Sequence, residues 1–363
     1  MSVTVEDIRK ALSTVEEPDL KKDIITLNMV RDIVIKDKEV SFTIVLTTPA
    51  CPLKEHIRKS CEEAILNIAP DVHIKISMTA DVTTTRSSEP LLPGVKNIIA
   101  IASGKGGVGK STITANLAMA LIQSGATVGI IDADIYGPSQ PILFDVENER
   151  PAVIQENGKN YIIPISQYGV KLISIGFLAP PDSAIVWRGP MASSALRQFI
   201  SDCKWGELDY MLVDLPPGTS DIHLTLVQTV PLTGAIIVTT PQKVALADAQ
   251  KALSMFRQPQ LSVPVIGVVE NMAWFTPQEL PENKYYVFGK NGGLELAQKN
   301  NVELLGQIPL VQSIRESGDK GKPKVMDNDI VAKAFIEFAE KVARQIAIIN
   351  AQKHIVENTE INS

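Results

Sequence analysis

From residue 95 onward, short apolar runs alternate with segments of helical spacing. The apolar runs read NIIAIAS, TVGIIDAD, KLISIGF, YMLVDLP, GAIIVTT and PVIGVVEN. Strands that are apolar along their whole length are buried on both faces, which is typical of a parallel sheet covered by helices. The pattern predicts an α/β domain over residues 95–348, a last helix from about Ile330 to Ile348, and a polar tail over 349–363 that frays.

Residues 1–82 follow a different pattern. Val5, Ile8 and Leu12 share one face of a predicted helix. The other predicted elements are strands over Ile24–Lys36 and Val40–Thr47, a helix over Leu53–Ile68, and a half-exposed strand over Val72–Met78. This order, α-β-β-α-β, predicts a small α+β domain. Residues 83–94 are rich in Ser, Thr and Pro, which is typical of a linker.

Composition narrows the class of protein. Lys and Arg number 35 and Asp and Glu 41, giving a net charge of −6, which argues against a surface that coats nucleic acid. No apolar run approaches the roughly 18–20 residues of a membrane span, and the N-terminus lacks the pattern of a secretory signal. The cysteines Cys51, Cys61 and Cys203 are too few and too scattered for a disulfide framework. We therefore expect a cytoplasmic protein with reduced thiols that binds neither membranes nor nucleic acid.

The strongest motif is a glycine-rich loop of the form G-x-x-x-x-G-K-[ST]. It lies between a predicted strand that ends at Ser103 and a predicted helix that begins at Ser111, where backbone N–H groups and the helix N-terminus can hold a phosphate. Lys110 is expected to reach the β- and γ-phosphates and to act as a catalytic residue, and Ser111 to bind Mg²⁺. The residues predicted to contact the nucleotide here are Gly104, Lys105, Gly106, Gly107, Val108, Gly109, Lys110, Ser111 and Thr112.

Acidic residues follow two of the predicted strands. The strand TVGII ends in Asp132 and Asp134, and the strand YMLV ends in Asp214. Carboxylates at the C-terminal ends of parallel strands face the crevice in which α/β proteins bind ligands. The alternative role for any one of these aspartates is that of a helix N-cap.

The second lysine of the loop, Lys105, gives the variant form KGGVGK[ST]. This form resembles the signature-lysine NTPases, the group of MinD, ParA, the nitrogenase iron protein and the arsenite-pump ATPase. In that group the extra lysine contacts phosphate across a dimer interface, so the resemblance implies a homodimer and a catalytic role for Lys105. An added ammonium would offset charge on the transferred phosphoryl group. The alternative is an ordinary solvated lysine.

The same resemblance implies roles for the acidic residues and a base pocket. Asp214 matches the Walker B position, which holds Mg²⁺ through water, and Asp132 and Asp134 match the switch I aspartates. We expect Asp132 in the Mg²⁺ shell and Asp134 to orient or deprotonate the attacking water. Asn271 matches a position whose amide reads adenine, since an amide can donate to and accept from one base edge. Pro309 is expected to line the other side of this pocket. Because an amide at position 271 suits adenine, ATP is the predicted nucleotide.

Further segments resemble the Mrp/ApbC family of P-loop ATPases, which assemble and carry iron–sulfur clusters. They are DADIYGPSQP (132–141), IVWRGPM (185–191), VDLPPGTSD (213–221), TTPQKVALAD (239–248), VENMAWF (269–275) and IPLVQSIRESGD (308–319). The resemblance covers nearly all of residues 95–345. Within residues 1–82, EEPDLKKDIITLNMV and TTPACPL are similar to a small iron–sulfur-maturation domain that often precedes such proteins.

This resemblance implies both a fold and an activity. The fold is a mostly parallel α/β P-loop NTPase sheet of the SIMIBI type, with a small N-terminal α+β domain. The activity is slow ATP hydrolysis by a homodimer that binds an iron–sulfur cluster and transfers it to apoproteins. The implied partners are the apo iron–sulfur client proteins and the cluster assembly machinery.

The chain departs from this family in one loop. Many members carry a Cys-x-x-Cys pair just after the NM-x-x-F segment, which would form a four-thiolate site across two subunits. Here residues 275–284 read FTPQELPENK and contain no cysteine. Cys51, in TTPACP, matches the cysteine motif of the small domain and lies near a predicted helix N-terminus, where the dipole favours thiolate. Cys51 is therefore either an iron or cluster ligand or a structural cysteine.

Three functions remain open on the sequence. The first is an ATP-dependent carrier of iron–sulfur clusters. The second is a positioning or partition ATPase of the MinD/ParA type, which would need a basic or amphipathic surface that the acidic chain and its polar tail do not show. The third is an ATPase scaffold whose cluster ligands lie on a partner.

Overall fold

The computed structural model of the chain describes residues 3–86, 91–178, 189–219, 223, 224, 226, 229–327 and 329–361. Most of the segment 185–191 and the end of the segment 213–221 therefore lie outside the described residues. The chain forms two compact units, one of Met1–Thr84 with Ala343–Ser363 and one of Thr85–Val342. The last helix is thus divided between the units, whereas the sequence pattern assigned all of it to the α/β domain.

The smaller unit is an α+β fold with a three-stranded sheet. Its elements are α1 (Val5–Leu12), β1 (Glu16–Glu17), β2 (Lys22–Asp23), β3 (Val30–Lys36), β4 (Glu39–Leu46), α2 (Lys54–Leu66) and β5 (His73–Ala80). Strand β4 pairs antiparallel with β3 and parallel with β5, while β1 and β2 form a separate short ladder. Ile8, Leu12, Ile57 and Ile65 of the two helices are buried in its core. The predicted order α-β-β-α-β is confirmed, with the β1–β2 ladder as an addition.

The first long strand predicted in this unit is shorter than expected. It was predicted over Ile24–Lys36 but begins at Val30. The Asp23 carboxylate accepts hydrogen bonds from the backbone N–H groups of Ile25 and Thr26 at 3.1 and 2.8 Å, which folds these residues into a turn. Ile24 is fully buried, so its apolar side chain serves the core from a turn and not from a strand.

The larger unit is built on an eight-stranded sheet. Its elements are β6 (Val95–Ser103), α3 (Lys110–Gln123), β7 (Val128–Asp132), α4 (Gln140–Leu143), β8 (Ala152–Glu156), β9 (Lys159–Ile163), β10 (Ile165–Gln167), β11 (Val170–Ser174), α5 (Gly189–Ser201), β12 (Leu208–Asp214), β13 (Gly234–Thr239), α6 (Lys243–Phe256), β14 (Val265–Glu270), α7 (Gly292–Lys299), β15 (Glu303–Gln307), α8 (Gln312–Asp319) and the first part of α9 (Ile330–Ile361). The strand order is β10-β11-β7-β12-β6-β13-β14-β15. All neighbours are parallel except β10 and β11. This confirms the predicted mostly parallel α/β sheet.

The sheet topology brings the predicted site residues to one edge. Asp214, the last residue of β12, is in register with Asp132, the last residue of β7, and Ser174 of β11 is in register with Asp132 on its other side. Strand β6 lies next to β12 and leads into the glycine-rich loop. Because parallel strands end at the same edge, the two carboxylates and the loop meet there.

Helix α9 is longer than the sequence pattern predicted. It continues to Ile361, so the predicted helix end at about Ile348 is wrong, and residues 349–361 are helical where a frayed tail was expected. The segment beyond Ile348 contains neither Pro nor Gly up to Ile361, which lets the helix propagate. Asn350 is fully buried and donates to the Thr83 carbonyl at 2.8 Å within the smaller unit. Among the described helices, none is long and apolar enough to cross a membrane.

Candidate nucleotide-binding site

The glycine-rich loop between β6 and α3 has a backbone that only glycine accommodates. Gly107 and Gly109 both have φ of +81°, in the left-handed region that favours glycine. A Cβ on Gly109 would lie 2.2 Å from Asn271 Nδ2, and a Cβ on Gly104 would lie 2.0 Å from the backbone carbonyl carbon of Asp248 in α6. The loop is therefore held closely against its neighbours at the N-terminus of α3, the position that suits a phosphate.

Two adjoining cavities lie over this loop. One, of about 280 Å³, is lined by the loop from Lys105 to Thr112, by Asp134 and by Pro217. The other, of about 300 Å³, is lined mainly by apolar residues that include Met272, Leu310 and Ile314. Both cavities share the residues Gly109, Thr112, Ser139 and Leu143. The pair therefore offers a polar compartment for phosphates beside an apolar compartment for a base.

Lys110 lies at the centre of a buried charge cluster. It is only 6% exposed, and its Nζ lies 2.5 Å from Asp214 Oδ1 and 3.7 Å from Asp134 Oδ2. Burial disfavours the ammonium, but the nearby carboxylates, Asp214 first, outweigh it and raise the pKa of Lys110 above its usual value. The lysine is therefore charged, and an entering phosphate would compete with Asp214 for it.

The two carboxylates after β7 are held differently. Asp132 is fully buried and accepts hydrogen bonds from Ser174 Oγ at 2.9 Å and from the Gln140 N–H at 3.1 Å. Burial, together with the charge of Asp214, raises the pKa of Asp132 to about 8. Asp134 is less enclosed, and burial raises its pKa as well, partly offset by Lys110. A carboxylate with a raised pKa beside the phosphate compartment is a suitable proton acceptor.

The oxygen atoms at this edge are of the type that Mg²⁺ binds. Ser111 Oγ, 3.4 Å from Lys110 Nζ, lies with the carboxylates of Asp132 and Asp214 at the end of the sheet. Hard oxygen donors from a hydroxyl and from carboxylates suit Mg²⁺ on a nucleotide. These residues therefore fit the metal expected there.

The remaining predicted residues also line the two cavities. Lys105 is exposed at the phosphate compartment, and Pro309 lines the apolar one. Asn271 lines the apolar compartment too, but its Nδ2 donates to the Val108 carbonyl at 2.8 Å. One of its amide hydrogens thus supports the glycine-rich loop, so the reading of adenine stays a prediction.

Sequence reasoning missed three polar side chains that organise the site. Gln140 donates from Nε2 to Asp214 Oδ2 at 2.8 Å, and Thr114 donates to Asp214 Oδ1 at 3.1 Å. Ser174 holds Asp132. Gln140 lies in DADIYGPSQP and Thr114 one helical turn after Lys110, but residue type alone gave no signal for the contacts of these helical residues with a carboxylate at the end of a strand.

The loop that lacks the family's cysteines is a short exposed hairpin. Phe275 and Tyr285 exchange backbone hydrogen bonds of 2.8 Å in both directions and close it. Lys284 Nζ lies 4.0 Å from the centre of the Trp274 ring. Leu280 and Tyr285 are 49% and 46% exposed. The hairpin therefore presents apolar and aromatic side chains where many members of the family carry the Cys-x-x-Cys pair.

Cys51 lies in the smaller unit, just before α2. It is half-buried, its carbonyl accepts the N–H of Lys54 at 3.4 Å, and it lines a cavity of only about 20 Å³ together with Glu17 and Arg344. Cys61 is fully buried, and burial raises the pKa of its thiol to about 12, as it does for Cys203. No cluster of three or more His, Cys, Asp or Glu side chains suited to a metal ion exists in the described part of the chain. A cluster-binding role for Cys51 stays a prediction.

Known proteins resemble the chain along nearly its whole length. An iron–sulfur cluster carrier protein of Synechocystis sp. is 44% identical over 350 residues, which is 95% of this chain and 99% of that protein. A protein of the same description from Escherichia coli is 41% identical over 92% of this chain and 90% of its own length. The solved structure of a nucleotide-binding protein from Archaeoglobus fulgidus in complex with ADP is 39% identical, with a TM-score of 0.57, over 66% of this chain and 91% of that one.

Family models match both parts of the chain. The model described as iron–sulfur cluster assembly protein matches residues 5–77, which covers most of the predicted small domain. The model described as NUBPL iron-transfer P-loop NTPase matches residues 94–346, which includes every residue of the nucleotide site described above. The chain belongs to the NUBPL iron-transfer P-loop NTPase family.

Proposed function

We propose that this chain is an ATP-binding and ATP-hydrolysing carrier that binds iron–sulfur clusters and transfers them to apoproteins. The observation that carries the proposal is a charge cluster of Lys110, Asp134 and Asp214 at a phosphate-sized compartment, in a chain whose two parts match iron-transfer and iron–sulfur assembly families. The partners proposed with it are a second copy of the chain, apo iron–sulfur client proteins and the assembly machinery, in the cytoplasm.

Nucleotide binding would replace the carboxylate partner of Lys110 by phosphate. Its ammonium is bonded to Asp214 in this structure, and binding of the β- and γ-phosphates would draw it from Asp214 to the phosphates. Ser111, Asp132 and Asp214 would hold Mg²⁺, which would supply charge neutralisation for the phosphates when bound. Asp134 would accept the proton of the attacking water, which its raised pKa and its place at the phosphate compartment support.

Hydrolysis would then act as a switch. Asp134 belongs to the segment that follows β7, and Tyr136 N–H donates to Asp134 Oδ1 at 3.2 Å. A segment held by the γ-phosphate side of the nucleotide is released when that phosphate leaves. We propose that slow ATP hydrolysis, by releasing this segment, alters the affinity for the cluster. We also propose that Lys105 of one subunit contacts the phosphates held by the other subunit.

The cluster is the cargo of this reaction, and Cys51 is its proposed ligand. Two subunits supply two such thiols, so the remaining ligands would come from a client, from glutathione or from carboxylates. The absence of cysteine from residues 275–284 favours a second candidate function. This is an ATPase scaffold whose cluster ligands all lie on a partner.

Anaerobic reconstitution tests the carrier function. The full chain is incubated with iron and sulfide, desalted, and assayed for bound iron, bound sulfide and visible absorption. It is then mixed with an apo-ferredoxin in the presence of MgATP or MgADP. A carrier takes up cluster and activates the ferredoxin at a rate that depends on the nucleotide. Absence of both uptake and activation would refute the proposal.

The Cys51→Ala variant separates the two candidates. Loss of bound iron and sulfide is expected for a carrier that uses this thiol, whereas unchanged loading and transfer would exclude Cys51 as the ligand. Cys203→Ala is the matched control, because it removes a half-buried thiol whose pKa is raised to about 12. This thiol is assigned no role in cluster binding. If the chain alone takes up no cluster but accelerates transfer from a loaded partner, the scaffold function is supported.

A further inference from the structure

Gln140 touches all three residues that are expected to hold Mg²⁺. Its side-chain Nε2 donates to Asp214 Oδ2 at 2.8 Å and to the Ser111 carbonyl at 3.1 Å. Its backbone N–H donates to Asp132 Oδ2 at 3.1 Å. One residue thus links the end of β12, the start of α3 and the end of β7.

The side chain of Gln140 is placed for its donors and not for packing. It is fully buried, yet its Oε1 has no hydrogen-bond partner within the described residues. A buried carbonyl oxygen without a partner opposes folding, and an apolar side chain of similar length would avoid that penalty. The amide is therefore explained by what Nε2 holds.

The hydrogen bond from Gln140 to Asp214 becomes more important for the position of this carboxylate when a nucleotide binds. In this structure Asp214 has Lys110 and Thr114 on Oδ1, and Gln140 on Oδ2. Once a phosphate takes Lys110, only Thr114 and Gln140 of these three still hold the carboxylate. Without Gln140 the carboxylate could rotate about its Cβ–Cγ bond, and its second oxygen would lose a fixed direction relative to Ser111.

We propose that Gln140 is a positioning residue for the Mg²⁺ of bound nucleotide, which it serves by fixing Asp214 against Ser111. The inference rests on the proposed nucleotide-binding function. It predicts a specific defect: a variant without the amide binds nucleotide in the absence of Mg²⁺ as the wild type does, but needs more Mg²⁺ to reach the metal-bound complex.

The test is a fluorescence titration of the full chain with methylanthraniloyl-ADP. Its affinity is measured in EDTA, and the Mg²⁺ concentration at half-saturation is measured at fixed nucleotide. Gln140→Met removes the amide at nearly constant length, and Gln140→Asn keeps an amide that is too short to make both contacts. Gln123→Leu is the control, because Gln123 lies at the far end of α3 and its one side-chain donor contact among the described residues is to the Val325 carbonyl, at 3.3 Å.

We expect the Mg²⁺ midpoint to rise about tenfold in Gln140→Met, in line with the loss of a hydrogen bond to a charged group. The affinity of Gln140→Met for the nucleotide in EDTA should stay within about twofold of wild type. Both measurements on Gln123→Leu should stay within the same range. Equal Mg²⁺ midpoints in Gln140→Met and wild type would overturn the inference. So would loss of EDTA binding in both Gln140 variants, since that marks a residue needed for the fold. Wild type that binds no nucleotide would instead refute the proposed function.

Discussion

The nucleotide site and the surroundings of Cys51 differ in how much of their chemistry the chain itself supplies. At the first, Lys110, Asp132 and Asp214 are almost fully buried, and each has polar partners on other elements. At the second, one half-buried thiol lines a cavity of about 20 Å³, and no metal-binding cluster of side chains exists in the described residues. The described residues thus place buried polar groups around a phosphate-sized compartment, but no such set of side chains around Cys51. We propose that a cluster takes its other ligands from elsewhere.

The difference has a physical basis. Buried charges are tolerated only when they are paired and hydrogen-bonded, so a charged site must be assembled completely when the chain folds. We propose that the other ligands of a cluster at Cys51 arrive with the cargo, so the surroundings of this residue need not be assembled in the same way. The contrast can be tested by experiments that address either the nucleotide site or the thiols.

The largest effect is expected from Asp134→Ala. Removing a proton acceptor typically lowers the rate of the chemical step by about 10²–10⁴-fold, while Lys110 and the glycine-rich loop remain to bind ATP. Single-turnover hydrolysis, followed with labelled ATP, measures the rate, and size-exclusion chromatography should show an ATP-bound dimer that persists. Turnover close to that of wild type would show that Asp134 is not the acceptor.

Thiol labelling tests the other side of the comparison. A pKa of about 12 leaves Cys203 about 10³-fold less ionised at pH 8 than an ordinary thiol of pKa 9.0, and the thiolate is the form that iodoacetamide attacks. Cys203 in the folded chain should therefore react about 10³-fold more slowly than in urea, and faster as the pH rises. Mass spectrometry of the digested protein gives each rate.

Cys51 and Cys203 are both half-buried, so a difference between them does not come from access alone. Cys51 lies just before α2 and is expected to be labelled first. Labelling of Cys203 before Cys51 in the folded protein would contradict the contrast between a thiol kept neutral by burial and one available to cargo.

Lys110→Ala should weaken ATP binding by at least about 100-fold. Its ammonium is expected to make charge-assisted hydrogen bonds to two phosphates, each of about 1.5–3 kcal/mol. Fluorescent-nucleotide titration measures the loss. Lys324→Ala is the matched control, because Lys324 is also a buried lysine in ion pairs, with Asp327 and Asp329, but lines neither cavity. A similar loss of affinity in both variants would mean that the effect comes from stability.

The sequence predicted the features that depend on local pattern or on a fixed motif. The parallel sheet followed from apolar strands, and the glycine-rich loop from its spacing; both are at the predicted places. Asp132 and Asp214 could be placed at one edge because parallel strands end together. Residues whose importance comes from a neighbour on another strand could not be found this way. Gln140 is one of several polar residues in its motif, and only the fold shows which carboxylate its amide reaches.

Two errors in the predicted elements are accompanied by side-chain hydrogen bonds that the sequence pattern does not show. The turn at Ile25 and Thr26 depends on the Asp23 side chain, which competes with strand hydrogen bonds, and periodicity does not register that competition. Asn350 lies in the part of α9 that was expected to fray, but it is buried and donates to the Thr83 carbonyl, a contact that the polarity of the segment does not reveal.

The smallest effect is expected from Lys105→Ala. Lys105 is exposed in the single chain, so its loss should change the ATP affinity by less than about threefold, as for other exposed charges. Hydrolysis should fall about tenfold if its ammonium offsets charge in the transition state, which corresponds to about 1.4 kcal/mol. Lys299→Ala, an exposed lysine that lines neither cavity, is the control.

Mixing two impaired variants then decides from which subunit Lys105 acts. In a mixed dimer of Lys105→Ala and Asp134→Ala chains, the site that keeps Asp134 receives Lys105 from its partner only if the lysine crosses the interface. Recovery of turnover on mixing is therefore expected from the proposed homodimer. If Lys105 acts within its own chain, each site of the mixed dimer lacks one of the two groups, and the mixture hydrolyses ATP no faster than the separate variants.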